Sequence, residues 1–268
     1  MQFDFGQNWL NFSNRALTQE KIEAARKAFA ALLSGVELGN RTFLDIGFGQ
    51  GLSLLFAQEA GARVVGNDIN PTCRKALSST ASTFGSSVDF PIVIGSILDS
   101  VTLDKLASLS PGGKGFDIVH SWGVLHHTGD MKTAIKHAAS LVGNGGFLVC
   151  AIYNRHSTSS LWHFIKLLYC LSPGFLRKIL VGIMFPVIAF SKFAVTGKNP
   201  FLQQRGMDFY YNVVDWIGGY PYEYAGKNEL VSFLETLGFS CVKFTATEVP
   251  TGCNEFVFTK DRGASSHP

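Results

Sequence analysis

From residue 41 onward the chain alternates short, continuous apolar runs with longer stretches whose apolar residues recur every three or four positions. The runs are "RTFLDIG" (41–47), "RVVGND" (63–68), "FPIVIGS" (90–96), "FDIVHSW" (116–122) and "GGFLVCAIYN" (145–154). They are unbroken rather than alternating, so each predicts a strand buried on both faces, as in a parallel sheet. Between them, "LSLLFAQEAG" (52–61), "PTCRKALSSTAST" (71–83), "LDKLASL" (103–109) and "MKTAIKHAASLVG" (131–143) predict helices. Pro71 suits a first turn and Gly61 a C-terminal stop. This alternation predicts a doubly wound α/β sheet. A helix predicted over 227–239 precedes two further strands, 239–249 and 253–260, which lie too close in sequence to pair other than antiparallel. The expected architecture is a seven-stranded sheet whose C-terminal hairpin is antiparallel. Upstream, residues 18–34 place Ile22, Ala25, Phe29, Leu32 and Leu33 on one helix face, with Thr18 or Ser13 as cap.

The pattern divides the chain. Residues 1–40 read as an N-terminal helical cap, and 41–154 with 226–260 as the sheet domain. Residues 155–225 read as a helical lid and substrate loop inserted after the fifth strand, and 261–268 as a flexible tail. Within the insertion, 161–195 is unusually apolar, and 205–225, "RGMDFYYNVVDWIGGYPYEYA", is broken by Gly218, Gly219 and Pro221 and reads as an aromatic loop.

Composition adds boundaries. Of 268 residues 46% are apolar and 16% charged, enough for a sizeable core. A net charge of +3 is too weak to imply nucleic acid, and the basic residues alternate with apolar runs rather than lining a polar face. Five scattered cysteines without a C-x-x-C pair read as reduced thiols of a cytoplasmic protein. The first fifteen residues lack a basic region followed by an apolar run, which argues against a signal peptide.

Ligands of open parallel sheets bind beyond the carboxyl ends of the strands. The first such end is "LDIGFGQG", where Gly47, Gly49 and Gly51 allow a tight turn and close backbone approach. Asp45 sits just inside that strand end, placed to meet a ligand ammonium. Asp68 ends the second strand, seventeen residues past Gly51, where an acid suits two ribose hydroxyls. A nicotinamide dinucleotide fits less well. Its fingerprint wants a glycine at position 52, which is leucine, and Asp45 would repel a pyrophosphate.

With these residues the sequence resembles the class I S-adenosylmethionine-dependent methyltransferases, over about 40–154 and again over 227–259. It is most similar to the small-molecule group that includes the ubiquinone-pathway enzymes. "LDIGFGQG" resembles that family's cofactor loop, "VVGNDIN" its ribose segment and "VIGSILD" its adenine-side segment, while "FDIVHSWGVLHH" and "LVGNGGFLV" resemble its fourth- and fifth-strand signatures. The resemblance implies S-adenosyl-L-methionine as cofactor, Ile69 and Ile97 flanking the adenine, and Ser121 beside the methionine part, with Trp122 at the cleft rim. Ser96 stands where many members carry an acid for the adenine amino group, so Ser96 or Asp99 takes that contact.

The rest of the site is less constrained. His126 and His127 are poor metal ligands, because adjacent side chains diverge and no partner stands at ligand spacing, so the enzyme is expected to be metal-independent. One of them holds the loop or acts as a base near neutral pH. No Asp or Glu occurs between Asp130 and Asp208, while nine Lys or Arg do. This basic lid points to an anionic small-molecule acceptor, a carboxylate methylated to its ester and held by Tyr153, Arg155, Arg205 and Tyr211, with Asp215 and Trp216 in the substrate loop. Two alternatives stand beside it. One is a phenolic or lipid-like quinone-type hydroxyl, with His126, His127, Asp215 or Glu223 as base. The other is a non-catalytic cofactor-binding subunit. The apolar stretch 161–195 reads as a cap that packs on the domain or on a second copy, making a homodimer, or as an interfacial helix pair touching a membrane.

Overall fold

The computed structural model describes residues 3–201 and 206–263. Two helices lead: α1 (Phe5–Arg15), whose first turn is capped by the Asp4 carboxylate accepting from the Gln7 N–H, and α2 (Gln19–Leu32), capped in the same way by Thr18. Ser13 lies inside α1, where its hydroxyl is 3.0 Å from that of Thr80. The alternating core follows as β1 (Thr42–Ile46), α3 (Leu52–Glu59), β2 (Arg63–Asp68), α4 (Thr72–Phe84), β3 (Ile92–Ile94), α5 (Ser100–Ser108), β4 (Phe116–Trp122), α6 (Met131–Ser140) and β5 (Val142–Tyr153). The insertion holds α7 (Ser159–Leu171), α8 (Gly174–Thr196) and α9 (Phe209–Gly218). The chain then closes with α10 (Lys227–Glu235), β6 (Phe239–Thr245) and β7 (Cys253–Lys260).

The sheet order is β3-β2-β1-β4-β5-β7-β6. The first five strands are parallel, and β7 enters antiparallel between β5 and β6. Continuous apolar runs give strands packed on both faces: Leu44, Ile46, Val119 and Leu148 belong to one core layer, and Phe43, Val64, Ile118 and Val149 to the other. Burial of each such side chain stabilises the fold by roughly 1.5–3 kcal/mol.

Two expectations change. Helix α6 ends at Ser140 because Val142 already begins β5, whose twelve residues pair with both β4 and β7. Residues 205–225 are not a loop throughout, since 209–218 form α9. The Asp208 carboxylate accepts from the Tyr210 N–H at its start, and Gly218 and Gly219, read as breakers, end it. Helices α7, α8 and α9 share a small third core of Tyr169, Val181, Ile188, Phe209, Val213 and Ile217. Arg177 ties α8 to α7 by donating to the carbonyls of Tyr169 and Cys170 at 3.1 and 2.7 Å.

Candidate active site

The turn from β1 into α3 is built by glycine. Gly49 and Gly51 have φ of +56° and +84°, in the left-handed region. A Cβ at Gly51 would overlap Leu77 of α4, and one at Gly49 the indole of Trp9 on α1. Glycine here therefore lets two helices close over the turn. Asp68 locks it: one carboxylate oxygen accepts from the Gly49 N–H at 3.0 Å, the other from the Asn70 N–H at 2.9 Å. A carboxylate offers about four acceptor sites, so capacity remains for hydroxyl donors. Burial raises the Asp68 pKa. Asp45 lies opposite His120 in the β1–β4 register, and its carboxylate is 2.7 Å from His120 Nδ1 in the buried interior.

These groups open onto a cavity of about 610 Å³. Asp45, Gly47, Gly49, Asp68, Ile69, Ser96, Ile97 and Trp122 line it. The Ser96 hydroxyl accepts from the Leu98 N–H at 3.1 Å and lines the cavity, whereas Asp99 is not on the wall. The Trp122 indole N–H donates to Glu255 at 2.9 Å, which fixes the ring at the rim. Ser121 departs from its expected place beside the cofactor. Its hydroxyl donates to the Ile46 carbonyl at 3.0 Å, fully buried and off the wall. The cause is strand periodicity: His120 and Trp122 reach the cavity, so the intervening side chain points away from it.

The remaining wall is aromatic. Phe3, Phe5 and Trp9 come from the N-terminal segment, His126 and His127 from a short 3₁₀ turn after β4, Tyr153 from the end of β5, and Asp215 and Trp216 from α9. The His126 ring lies 4.2 Å from the Tyr153 ring and 4.4 Å from that of His127. His127 Nδ1 is 2.6 Å from the Pro221 carbonyl, so Nδ1 carries a proton and Nε2 is left as the acceptor of the neutral ring. Burial, with Lys166 nearby, lowers the His127 pKa to about 3, and burial, with His127 and Lys166 nearby, lowers His126 well below its ordinary value. Both rings are neutral at physiological pH. Burial holds Tyr153 protonated.

Behind this wall sits a buried lysine. Lys166 of α7 donates to the Trp216 carbonyl, and its ammonium lies over the rings of Tyr222 and Tyr153 at 4.9 and 5.3 Å. Asp215 accepts from the Asn8 side-chain amide at 2.6 Å. Burial pushes Lys166 down to about 7 and Asp215 up to about 7, and in each case the partner's charge opposes the shift.

Two expected acceptor contacts are corrected. Arg155 lies away from the cavity, paired with Glu229 at 2.6 Å on the exposed surface and stacked over Tyr224. It follows the bridge between Asn154 and Ala225 that carries the chain off the end of β5. The Tyr211 hydroxyl donates to the Asn11 carbonyl and its ring packs on Phe12, so it anchors α1 instead of facing the cavity. Arg205 lies outside the described residues. Glu223, a possible base by sequence, accepts from the Met131 N–H at 2.9 Å and is not on the wall. Sequence reasoning missed Phe3, Phe5, Trp9, His120 and the buried position of Lys166. The cluster "FDFGQNW" and the lone charge in "HFIKLLY" were the available signals.

The sheet order, the glycine turn and its two buried acids define a class I methyltransferase. The residues fit S-adenosylmethionine: the turn leaves no room for side chains, acids are at hand for a cationic and hydroxyl-bearing ligand, and His120 Nε2 and Gln50 Oε1 are buried on the wall without protein partners. A family model described as a methyltransferase domain matches residues 16–192, and the chain belongs to that family, which uses this cofactor. Among curated relatives, the ubiquinone biosynthesis O-methyltransferase of Nitrosomonas europaea is 28% identical over 134 residues, 50% of this chain and 53% of that protein. The protein of the same name from Rhizobium etli is 34% identical over 112 residues, 42% of this chain and 41% of its own. The chain thus spans about half the length, or less, of the curated relatives it matches. The magnesium protoporphyrin IX methyltransferase of Synechocystis, solved with bound S-adenosylhomocysteine, superposes with a TM-score of 0.51 at 18% identity, covering 97% of this chain and 90% of that one. At that identity the likeness concerns the fold alone.

Proposed function

We propose that the protein is an S-adenosylmethionine-dependent O-methyltransferase acting on a phenolic or quinone-type hydroxyl. The observation that carries this reading is the cavity wall: among the described residues no Lys or Arg lines it, whereas Phe3, Phe5, Trp9, Tyr153 and Trp216 do. A cationic clamp is what would hold a carboxylate acceptor best; Arg155 is committed to Glu229 on the surface, and Arg205 lies outside the described residues. The carboxylate expectation therefore gives way to the hydroxyl alternative, which also agrees with the names of the curated relatives. A flat ring bearing a hydroxyl suits aromatic walls with a few polar groups.

The bound cofactor supplies the methyl electrophile. The chain's own residues orient the acceptor, exclude water and take its proton. Asp215 is the best-matched proton acceptor, since it stands on the wall, is held by Asn8 and has a pKa of about 7, near neutrality. His127, with a pKa of about 3, is a weaker base. On this reading His126 and His127 shape a neutral, apolar floor for the ring. The test is a screen of phenols and hydroxyquinols against aromatic and aliphatic acids with labelled cofactor, reading product mass. Methyl ethers are the expected products. Methyl esters from the acids, with the phenols untouched, would return the assignment to the carboxylate.

A further inference from the structure

Helices α7 and α8 are apolar on both sides. Their inner faces build the third core, where the Phe185 ring packs on Phe209 at 4.9 Å. The outer face of α8 carries Phe175, Ile179, Ile183, Val187 and Phe190, a stripe at intervals of four and three residues, with Phe175 66% and Phe190 72% exposed. Phe164 and Leu168, four apart on α7, are exposed in the same way. Helix α8 has a mean hydropathy of 2.0 over its most apolar eighteen residues, yet little of that stretch is buried. At 1.5 Å per residue its 23 residues make a strip about 34 Å long. An exposed apolar surface of this kind marks a docking face.

We propose that this face seats the protein on an anionic phospholipid surface, with α7 and α8 lying in the plane of the interface. By length and composition α8 could cross a bilayer, but its inner face is held by α9, and crossing would strip Val181 and Ile188 from that core. A second copy of the chain is disfavoured by charge. No Asp or Glu occurs anywhere on α7 or α8, while exposed Lys178 stands beside the outer stripe, one turn from Phe175. Joining two such faces about a two-fold axis would bring lysines together with no acid on these helices to pair them. Phospholipid headgroups supply negative charge for exposed Lys178, and the acyl boundary accepts the stripe. The inner side of the same helix pair borders the cavity, where the Trp162 ring on α7 lies 5.8 Å from Trp216 on the wall. An apolar acceptor could then arrive from the lipid side, but the proposal stands whichever oxygen is methylated.

The experiment is vesicle flotation of the full chain. One set of vesicles is pure phosphatidylcholine, and the other contains about one third phosphatidylglycerol. The chain should float with both, about tenfold more with the anionic set, that excess being lost at high salt. The triple variant Phe175→Asp, Ile183→Asp, Phe190→Asp should lower partitioning at least a hundredfold while leaving cofactor affinity and thermal unfolding unchanged, because all three side chains are exposed. The single variant Phe190→Asp provides a milder change should the triple misfold. A chain that stays at the bottom with both vesicle types overturns the proposal, and if it sediments as a dimer that the same substitutions dissociate, the face belongs to a second copy. Equal flotation of wild type and a folded variant overturns it as well.

Discussion

The two parts of the cavity are built in opposite ways. The part proposed for the cofactor comes mainly from consecutive strand ends and the turns that follow them, within residues 45–97. The acceptor part is gathered from the N-terminal segment, the turn after β4, the end of β5 and α9, with Lys166 of α7 behind it. Charge differs too. The cofactor part holds Asp45 and Asp68 in fixed hydrogen bonds, while the acceptor part holds a lysine and an aspartate that both titrate near neutrality. A site made from neighbouring turns is rigid and written locally. A site assembled across the chain can be retuned by any one of its contributors.

Four experiments sharpen or break that contrast. The largest effect is expected in the acceptor part. Asp215→Asn should lower kcat by about 10²–10⁴-fold through loss of the proposed general base, with the cofactor dissociation constant unchanged by calorimetry. The wild-type rate should rise as pH climbs through about 7, where the coupled Asp215–Lys166 pair titrates, and the variant should lose that inflection. A variant with full rate and an unchanged profile would remove Asp215 from the chemistry.

Next comes the cofactor part. Asp68→Ala should weaken binding of S-adenosylmethionine and of S-adenosylhomocysteine by about 2–3 kcal/mol, roughly 30- to 150-fold, because it loses the bond that locks Gly49 and the acceptor proposed for the ribose hydroxyls. Nicotinamide dinucleotides should not bind either protein. Unaltered affinity in the variant would separate the acid from the ligand.

The third test concerns stability and pH. Lys166 keeps its proton up to about 10.5 in the unfolded chain but only to about 7 in the folded one. Between these values the unfolded chain binds more protons, so stability rises with pH, by at most about 1.4 kcal/mol per unit. Asp215 acts in the lower window: its folded pKa of about 7 exceeds the ordinary 3.8, so stability falls as pH rises from about 4 to 7. Urea unfolding at pH 7.5 and 9.5 should show Lys166→Met lacking the upper rise. An identical slope in both proteins would mean that the amine is not buried as described.

The smallest effect is expected on the surface. Arg155→Ala should change stability by less than about 1 kcal/mol and leave KM for the acceptor unaltered, since its partner is Glu229 in solvent. A large rise in KM would restore it to the acceptor site.

Much of this molecule was legible before folding. The unbroken runs around Leu44, Val65, Ile118 and Val149 announced strands buried on both faces, and the spacing of Asp45, Gly47, Gly49, Gly51 and Asp68 announced the cofactor turn, because these features arise within one strand–helix–strand unit. The seventh strand's antiparallel entry followed from the short link before it. What the sequence alone left open depends on where distant segments meet. Whether Lys166 is a solvated cation or a buried one is decided by α9 and Tyr222 closing over it. Whether Arg155 clamps a substrate is decided by Glu229, seventy-four residues away. That Ser121 faces the interior is a matter of strand phase against the cavity, and that Trp9 covers Gly49 depends on how the first helix docks. Periodicity and turn chemistry act over a few residues and can be read along the chain. Burial, pKa and the partner of a charge are set by what packs against it, and only the tertiary structure decides that.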